Sequence, residues 1–149
     1  MLALVRPGSW NLPLFLHLVG ATVLVGALIA VTLLLVESLR RPDLRPDPRA
    51  LLVRIAFRTQ LAVAIPAWIL MRVAGQWLDS KEGAGNPTWL SIGVGVADGG
   101  VAALVVLAVL LFFAARRSNA GLTRAAAVIA PLYLAALAVA VWAMSAKPD

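Results

Sequence analysis

The sequence predicts an all-α fold, a four-helix transmembrane bundle built as a single domain over residues 1–149. Three observations lead there. Hydrophobic residues make up 62% of the chain and charged residues only 13%, against roughly 25% charged in an ordinary water-soluble domain. The apolar residues gather into four stretches, about 11–36, 54–77, 89–115 and 125–145. Each reaches the ~20 residues that a helix rising about 1.5 Å per residue needs to cross ~30 Å of hydrocarbon. The connectors are too short to fold as soluble units of their own, so the chain reads as one domain.

The first stretch runs unbroken from Asn11 to Val36 and lands on Arg40 and Arg41. That is longer than the 7–15 residue core of a typical signal peptide, so it reads as a retained first span. The connector that follows, Glu37 to Val53, holds Pro42, Pro46 and Pro48 among arginines and aspartates. Prolines remove backbone donors and disfavour helix on their N-terminal sides, which predicts an irregular loop. The second span, Arg54 to Trp77, contains Pro66, and the fourth, Ala125 to Ser145, contains Pro131. Each proline leaves the carbonyl four residues earlier, Ala62 or Ala127, without its helical donor, which predicts a kink in both spans. Between Asp79 and Thr88 the run Gly83-Ala84-Gly85-Asn86-Pro87 is a turn signal. The third span, Trp89 to Ala115, carries Ser91, Gly95, Gly99 and Ala103 at intervals of four. Such a small-residue stripe lets helix backbones approach closely in lipid, and Gly20, Ala21 and Ala27 give the first span a similar face.

The net charge of +6 is distributed topologically. Arg40, Arg41, Arg45, Arg49, Arg54, Arg58, Arg116, Arg117 and Arg124 border the first and third connectors. By the positive-inside rule those connectors are cytoplasmic and both chain ends lie outside. Trp10, Trp77, Trp89 and Trp142 then mark the outer interface. The partner this basicity implies is the lipid bilayer and its anionic headgroups, not nucleic acid. A homodimer or another membrane protein is expected to dock on the small-residue faces.

The two halves of the chain also share a loose pattern. Arg58, Pro66, Trp68 and Trp77 of the second span are matched by Arg124, Pro131, Tyr133 and Trp142 of the fourth. With both halves starting outside, this would be a parallel two-hairpin repeat about an axis along the membrane normal.

Chemistry-bearing side chains inside the spans are few: His17, Arg72 and Asp98, with Gln60 and Gln76 as amides. Intramembrane ionisable residues are candidate functional positions because burying them in hydrocarbon is unfavourable. Counted from the interfacial tryptophans at about 1.5 Å per residue, His17 lies ~10 Å, Asp98 ~13 Å and Arg72 ~8 Å deep, all in the outer half. His17 shares a face with Gly20, Ala21 and Leu24, and Asp98 with Ser91, Gly95 and Ala102, so both are expected to point at neighbouring helices. Arg72 aligns with Trp68 and Gln76. An outer-half cluster of His17, Arg72 and Asp98 is therefore the expected binding site, or else an Arg72–Asp98 ion pair locks the second and third spans together while His17 donates to a backbone carbonyl.

Two further readings use these residues differently. His17 could ligate copper or haem b, with Met71 and Met144 as soft thioether donors for Cu(I). Alternatively Asp98 could be the proton or cation site of a small oligomeric transporter. No cysteine is present, which removes disulfides, thiolate metal sites and cysteine nucleophiles. No Gly-x-Ser-x-Gly, HExxH, phosphate loop or paired carboxylates occur, so the chain is expected not to be an enzyme but an accessory or ligand-binding membrane unit.

Leu16-His17-Leu18-Val19-Gly20-Ala21 followed by Val25-Gly26 resembles the opening helix of a family of bacterial small integral membrane proteins of uncharacterised function, distantly similar to the membrane domain of the copper-resistance protein CopD. Gly75-Gln76-Trp77-Leu78 and Trp89-Leu90-Ser91-Ile92 look like that family's second and third helices. The resemblance implies a four-helix bundle, multi-pass, in the bacterial plasma (inner) membrane, and a metal or haem site centred on His17.

Overall fold

The computed structural model describes residues 8–40, 46–82 and 87–146. Among them the chain is helical almost throughout. After a 3-10 turn at Gly8–Trp10, α1 spans Asn11–Arg40, α2 Pro46–Thr59, α3 Ile65–Glu82, α4 Thr88–Arg117 and α5 Ala120–Ala146. A π-helical turn, Gln60–Ala64, welds α2 to α3, so five helices make four rods long and apolar enough to cross a membrane. The predicted four-helix bundle is what forms, and four crossings bring both ends of the described chain to the same side. That side carries Trp10, Trp77, Trp89 and Trp142 and is called the tryptophan end; the opposite one is the arginine end.

The helices outrun the predicted spans, most of all at the arginine end. The expected irregular loop Glu37 to Val53 is largely helical: α1 continues to Arg40 and α2 begins at Pro46. Pro46 and Pro48 fall in the first turn, where the missing N–H would have had no helical partner anyway. Pro42 and the arginines at 41 and 45 lie outside the described residues, as do Arg6, Lys147 and the turn signal at 83–86. Pro87 stands at the N-cap of α4 with φ −68°. The Arg49 Nε–H donates to the Ser38 carbonyl at 3.0 Å, tying the last turn of α1 to α2. At the other arginine-end connection the chain reverses in two residues. Ser118 takes a left-handed conformation, φ 47°, and ends α4. Asn119 Oδ1 then accepts the N–H groups of Gly121 and Leu122 at 2.8 and 3.2 Å, capping α5.

The two prolines behave differently. In front of Pro66 the backbone widens: the Ile65 N–H reaches the Gln60 carbonyl, five residues back, and makes the π turn. Pro131 sits inside an uninterrupted α5. The kink expected at Pro66 is thus a bulge, in which the helix changes register to make room for the ring. The counterpart positions of the loose repeat diverge as well: Trp68 is half-buried and hydrogen-bonded, Tyr133 is buried.

The core follows a three-four spacing on each rod. Leu24, Leu28, Val31 and Leu35 of α1 meet Leu104, Leu107 and Leu111 of α4 and Ala126, Ala130, Tyr133 and Leu137 of α5. Large side chains such as Phe15, Leu33, Val73, Val105, Val128 and Leu132 face outward, exposed by half or more. On a water-soluble protein so much exposed hydrocarbon would drive aggregation; against acyl chains it is satisfied.

This core reverses the expectation for α4. Ser91, Gly95, Asp98, Gly99 and Ala102 all face outward, and a methyl group on Gly95 or Gly99 would meet nothing within 4 Å. The buried glycines are Gly93 and Gly100, seven residues apart and in line with Leu104, Leu107 and Leu111. Filling the bundle centre needs those leucines, and turning them inward rotates the Gly95–Gly99 stripe to the outside.

Among the described residues two side-chain polar atoms are buried without partners. Gln60 is completely buried; its Nε2 donates to the Leu104 carbonyl at 3.1 Å, but its Oε1 accepts nothing. Tyr133, 6% exposed, presses its hydroxyl against Gly100, and that hydroxyl also lacks a partner. Tyr133→Phe removes an unsatisfied group and leaves the ring packing, so thermal unfolding in detergent should show the variant as stable as the parent or more stable by about 1 kcal/mol. A loss of more than that would mean that the hydroxyl holds a partner.

Candidate functional site

At the tryptophan end, α1 and α3 cross closely because Gly20 has no side chain there. A Cβ on Gly20 would stand 2.6 Å from the Met71 nitrogen and 2.9 Å from the Ala67 carbonyl oxygen. One turn earlier on α1, His17 lies against the same part of α3. Its Nδ1 is 2.8 Å from the Met71 carbonyl oxygen, and its ring edge faces Gly75, where a Cβ would come within 3.0 Å of Nδ1 and 3.2 Å of Cε1.

The hydrogen bond decides the chemistry of the ring. A carbonyl only accepts, so Nδ1 carries a proton, and whenever the ring is neutral the lone pair lies on Nε2. Among the described residues nothing donates to Nε2. The second nitrogen is thereby held in position as a ligand or hydrogen-bond acceptor, as when a carbonyl orients a metal-binding histidine.

His17 also lines two adjoining cavities, each about 70 Å³. Met71, Gly93, Ala97 and Met144 line both. The inner cavity continues between α1, α4 and α5 past Ala21, Val25, Val96, Leu137, Ala140 and Val141. The outer one opens toward Arg72, Gly75, Gln76 and Asp79. The space exists because α3 and α4 pack against each other far less than α1 against α3 or α4 against α5, and because Gly93 leaves room for the Met144 thioether. Sequence reading nominated His17, Met71 and Met144 together, and all three stand in these walls.

Arg72 and Asp98 pair with each other, Nε to Oδ1 at 2.7 Å, with side-chain exposures of 20% and 54%. The Gln76 amide, turned with its oxygen toward Arg72, accepts from Nη1 and Nη2 at 3.2 and 3.3 Å. One turn deeper the Trp68 indole N–H donates to the Ala97 carbonyl at 2.9 Å. Trp68 and Arg72, one turn apart on α3, thus form a polar strap to α4 across the gap, and Gln76 braces Arg72 from the same helix. The single cluster expected of His17, Arg72 and Asp98 is resolved into two parts. His17 and Arg72 border the outer cavity, but Asp98 lies on the lipid-facing flank and lines neither cavity. Its outward position follows from the rotation of α4 described above.

Sequence reading missed Gly75, Gly93 and Asp79 as wall residues. Met71, Gly75 and Asp79 repeat by four on one face of α3, and Gly93 and Gly100 by seven on α4, which is the signal that was there to be read. Among the described residues no group of three or more histidine, cysteine or acidic side chains is arranged to hold a metal. Any metal here would draw on one imidazole, two thioethers and, in the outer cavity, the Asp79 carboxylate.

No family model matches the chain, and neither a curated protein nor a solved structure does so.

Proposed function

We propose that this chain is a ligand-binding unit of a bacterial plasma membrane, multi-pass and without catalysis of its own. In this reading the tryptophan end faces outward and the arginine-rich connectors face the cytoplasm. The observation that carries the proposal is the His17–Met71 hydrogen bond, which aligns an imidazole at the wall of a cavity and leaves Nε2 with a lone pair to offer. Small-molecule sites are mostly apolar cavities with a few fixed polar groups, and this one has that composition.

A second reading takes the ligand to be Cu(I). The donor set suits a soft monovalent ion: His17 through Nε2, and the thioethers of Met71 and Met144, would hold it. Haem does not fit. The cavities have room for only a few water-sized groups, and one histidine per chain offers a single axial ligand. The transport reading loses its main residue, because Asp98 is engaged by Arg72 and stands outside the cavity walls.

The test is native mass spectrometry of the protein released from its own membrane in nanodiscs, with metal analysis and an absorption spectrum. A retained mass in one-to-one ratio, reduced at least tenfold in His17→Ala and in the cavity-filling variant Ala140→Leu, is the expected result. Apoprotein alone, under conditions that keep annular lipid bound, overturns the reading.

A further inference from the structure

The charge surplus of the chain belongs to two of its connectors. The nine arginines that border the first and third outnumber Glu37, Asp43 and Asp47, whereas the remaining basic residues, Arg6, Arg72, Lys81 and Lys147, are matched in number by Asp79, Glu82, Asp98 and Asp149. At the arginine end this leaves guanidinium groups uncompensated. Among the described residues no carboxylate pairs with Arg54, Arg58 or Arg116, and all three are exposed.

Two helices set these three charges on one flank. The Phe57 ring of α2 meets the Phe112 ring of α4, with centroids 5.8 Å apart. Arg116, one turn beyond Phe112, lays its guanidinium on that ring, its Cζ 4.5 Å from the centroid. Because α2 and α4 run antiparallel, Arg54, three residues before Phe57, stands about one turn toward the arginine end and so level with Arg116. Arg58 lies one turn deeper on α2. Stacking fixes the plane of Arg116 and leaves its N–H edges for a ligand, in the fork geometry that fits two oxygens of a phosphate.

Depth and the surface below complete the site. Counted from Trp77 at about 1.5 Å per residue, Arg58 is ~29 Å and Arg54 ~35 Å away. With hydrocarbon ~30 Å thick, Arg58 reaches its edge while Arg54 and Arg116 stand among the headgroups. Toward the bilayer centre the flank turns apolar. Leu61, one turn inward from Phe57, and Val105 and Val101, seven and eleven residues before Phe112, continue the face of the aromatic pair, each exposed by two-fifths or more.

We infer that this flank between α2 and α4 binds one anionic phospholipid, its phosphate held by Arg54 and Arg116 above Arg58 and its acyl chains lying along Leu61, Val105 and Val101. A free anion would use the arginines and leave the apolar track empty. A zwitterionic lipid brings an ammonium group against three guanidinium groups, so the site selects a headgroup of net negative charge.

Native mass spectrometry of the full chain in detergent, offered equimolar phosphatidylglycerol and phosphatidylcholine, tests this. One retained phosphatidylglycerol, favoured at least tenfold, is the expected result. Arg54→Gln with Arg116→Gln should lower that preference at least fivefold. Arg40→Gln with Arg124→Gln removes the same charge from α1 and α5, outside the flank, and should change it less than twofold. Thermal unfolding gives an independent readout: phosphatidylglycerol should raise the melting temperature of the parent and of the α1–α5 double variant, and lose at least half of that shift in Arg54→Gln with Arg116→Gln. Equal retention of the two lipids, or equal effects of the two double variants, overturns the proposal, the second because net charge alone would then account for binding. Displacement of the lipid by a tenfold excess of inorganic phosphate overturns it too, since the site would then be one for a free anion.

Discussion

Gly20→Ala is expected to be among the most damaging single-methyl additions in this protein, and no second change in a side chain should repair it. The new Cβ meets the Met71 nitrogen and Cα and the Ala67 carbonyl oxygen within 2.9 Å. These are backbone atoms of α3, so α1 and α3 must separate along their crossing. Overpacking of this kind is unfavourable by about 1–3 kcal/mol. Separation also draws His17 away from the Met71 carbonyl, so loss of stability and loss of cavity binding should appear together. Gly100→Ala provides the contrast. Its methyl runs into the Tyr133 ring and hydroxyl, atoms near the end of one side chain. Gly100→Ala should therefore destabilise by a similar amount, whereas Gly100→Ala with Tyr133→Leu should recover at least half of that loss. Thermal unfolding in one detergent decides the matter. Rescue of Gly20→Ala by Met71→Ala to the same extent would show that the α1–α3 crossing is set by side chains, contrary to this account.

The contrast also shows what the sequence could and could not reveal. Span number and the two-sided arrangement of tryptophans and arginines depend on composition along the chain, and the bilayer enforces them, so they were legible. Which face of a span turns inward was harder. In water the polar face marks the outside; here both faces are apolar, and the inside is distinguished by fit. On α4 the interval-four stripe of Ser91, Gly95 and Gly99 looked like the packing face, yet the leucines at 104, 107 and 111 fill the centre and take Gly93 and Gly100 with them. The ends of helices were misjudged for a related reason: prolines at 46 and 48 read as breakers until it is known that they fall in a first turn. At the site, residue types were enough to nominate His17, Met71 and Met144. That His17 donates to a backbone carbonyl was expected as well; that the carbonyl is the one of Met71 was not, because no side-chain pattern announces a particular backbone acceptor. The pairing of Arg72 with Asp98 was legible, since both are counted from tryptophans that flank one short connector.

That pair yields the second large expected effect. Arg72→Ala should destabilise the solubilised protein, because Asp98 is left as a carboxylate on the membrane-embedded flank and the Gln76 amide loses both of its donors. Removing one partner of a fully buried pair is unfavourable by about 3–5 kcal/mol. This pair is only partly enclosed by protein, with Asp98 54% exposed, so the loss should be smaller, about 1–2 kcal/mol. Asp98→Ala alone leaves Arg72 with Gln76 and a stem long enough to reach the interface, so its effect should be the smaller of the two. In Arg72→Ala with Asp98→Ala neither charge is stranded, and the double variant should be more stable than the sum of the single losses predicts by about 1 kcal/mol. Strict additivity would mean that the two groups act independently and that the strap is held by the Trp68–Ala97 hydrogen bond alone.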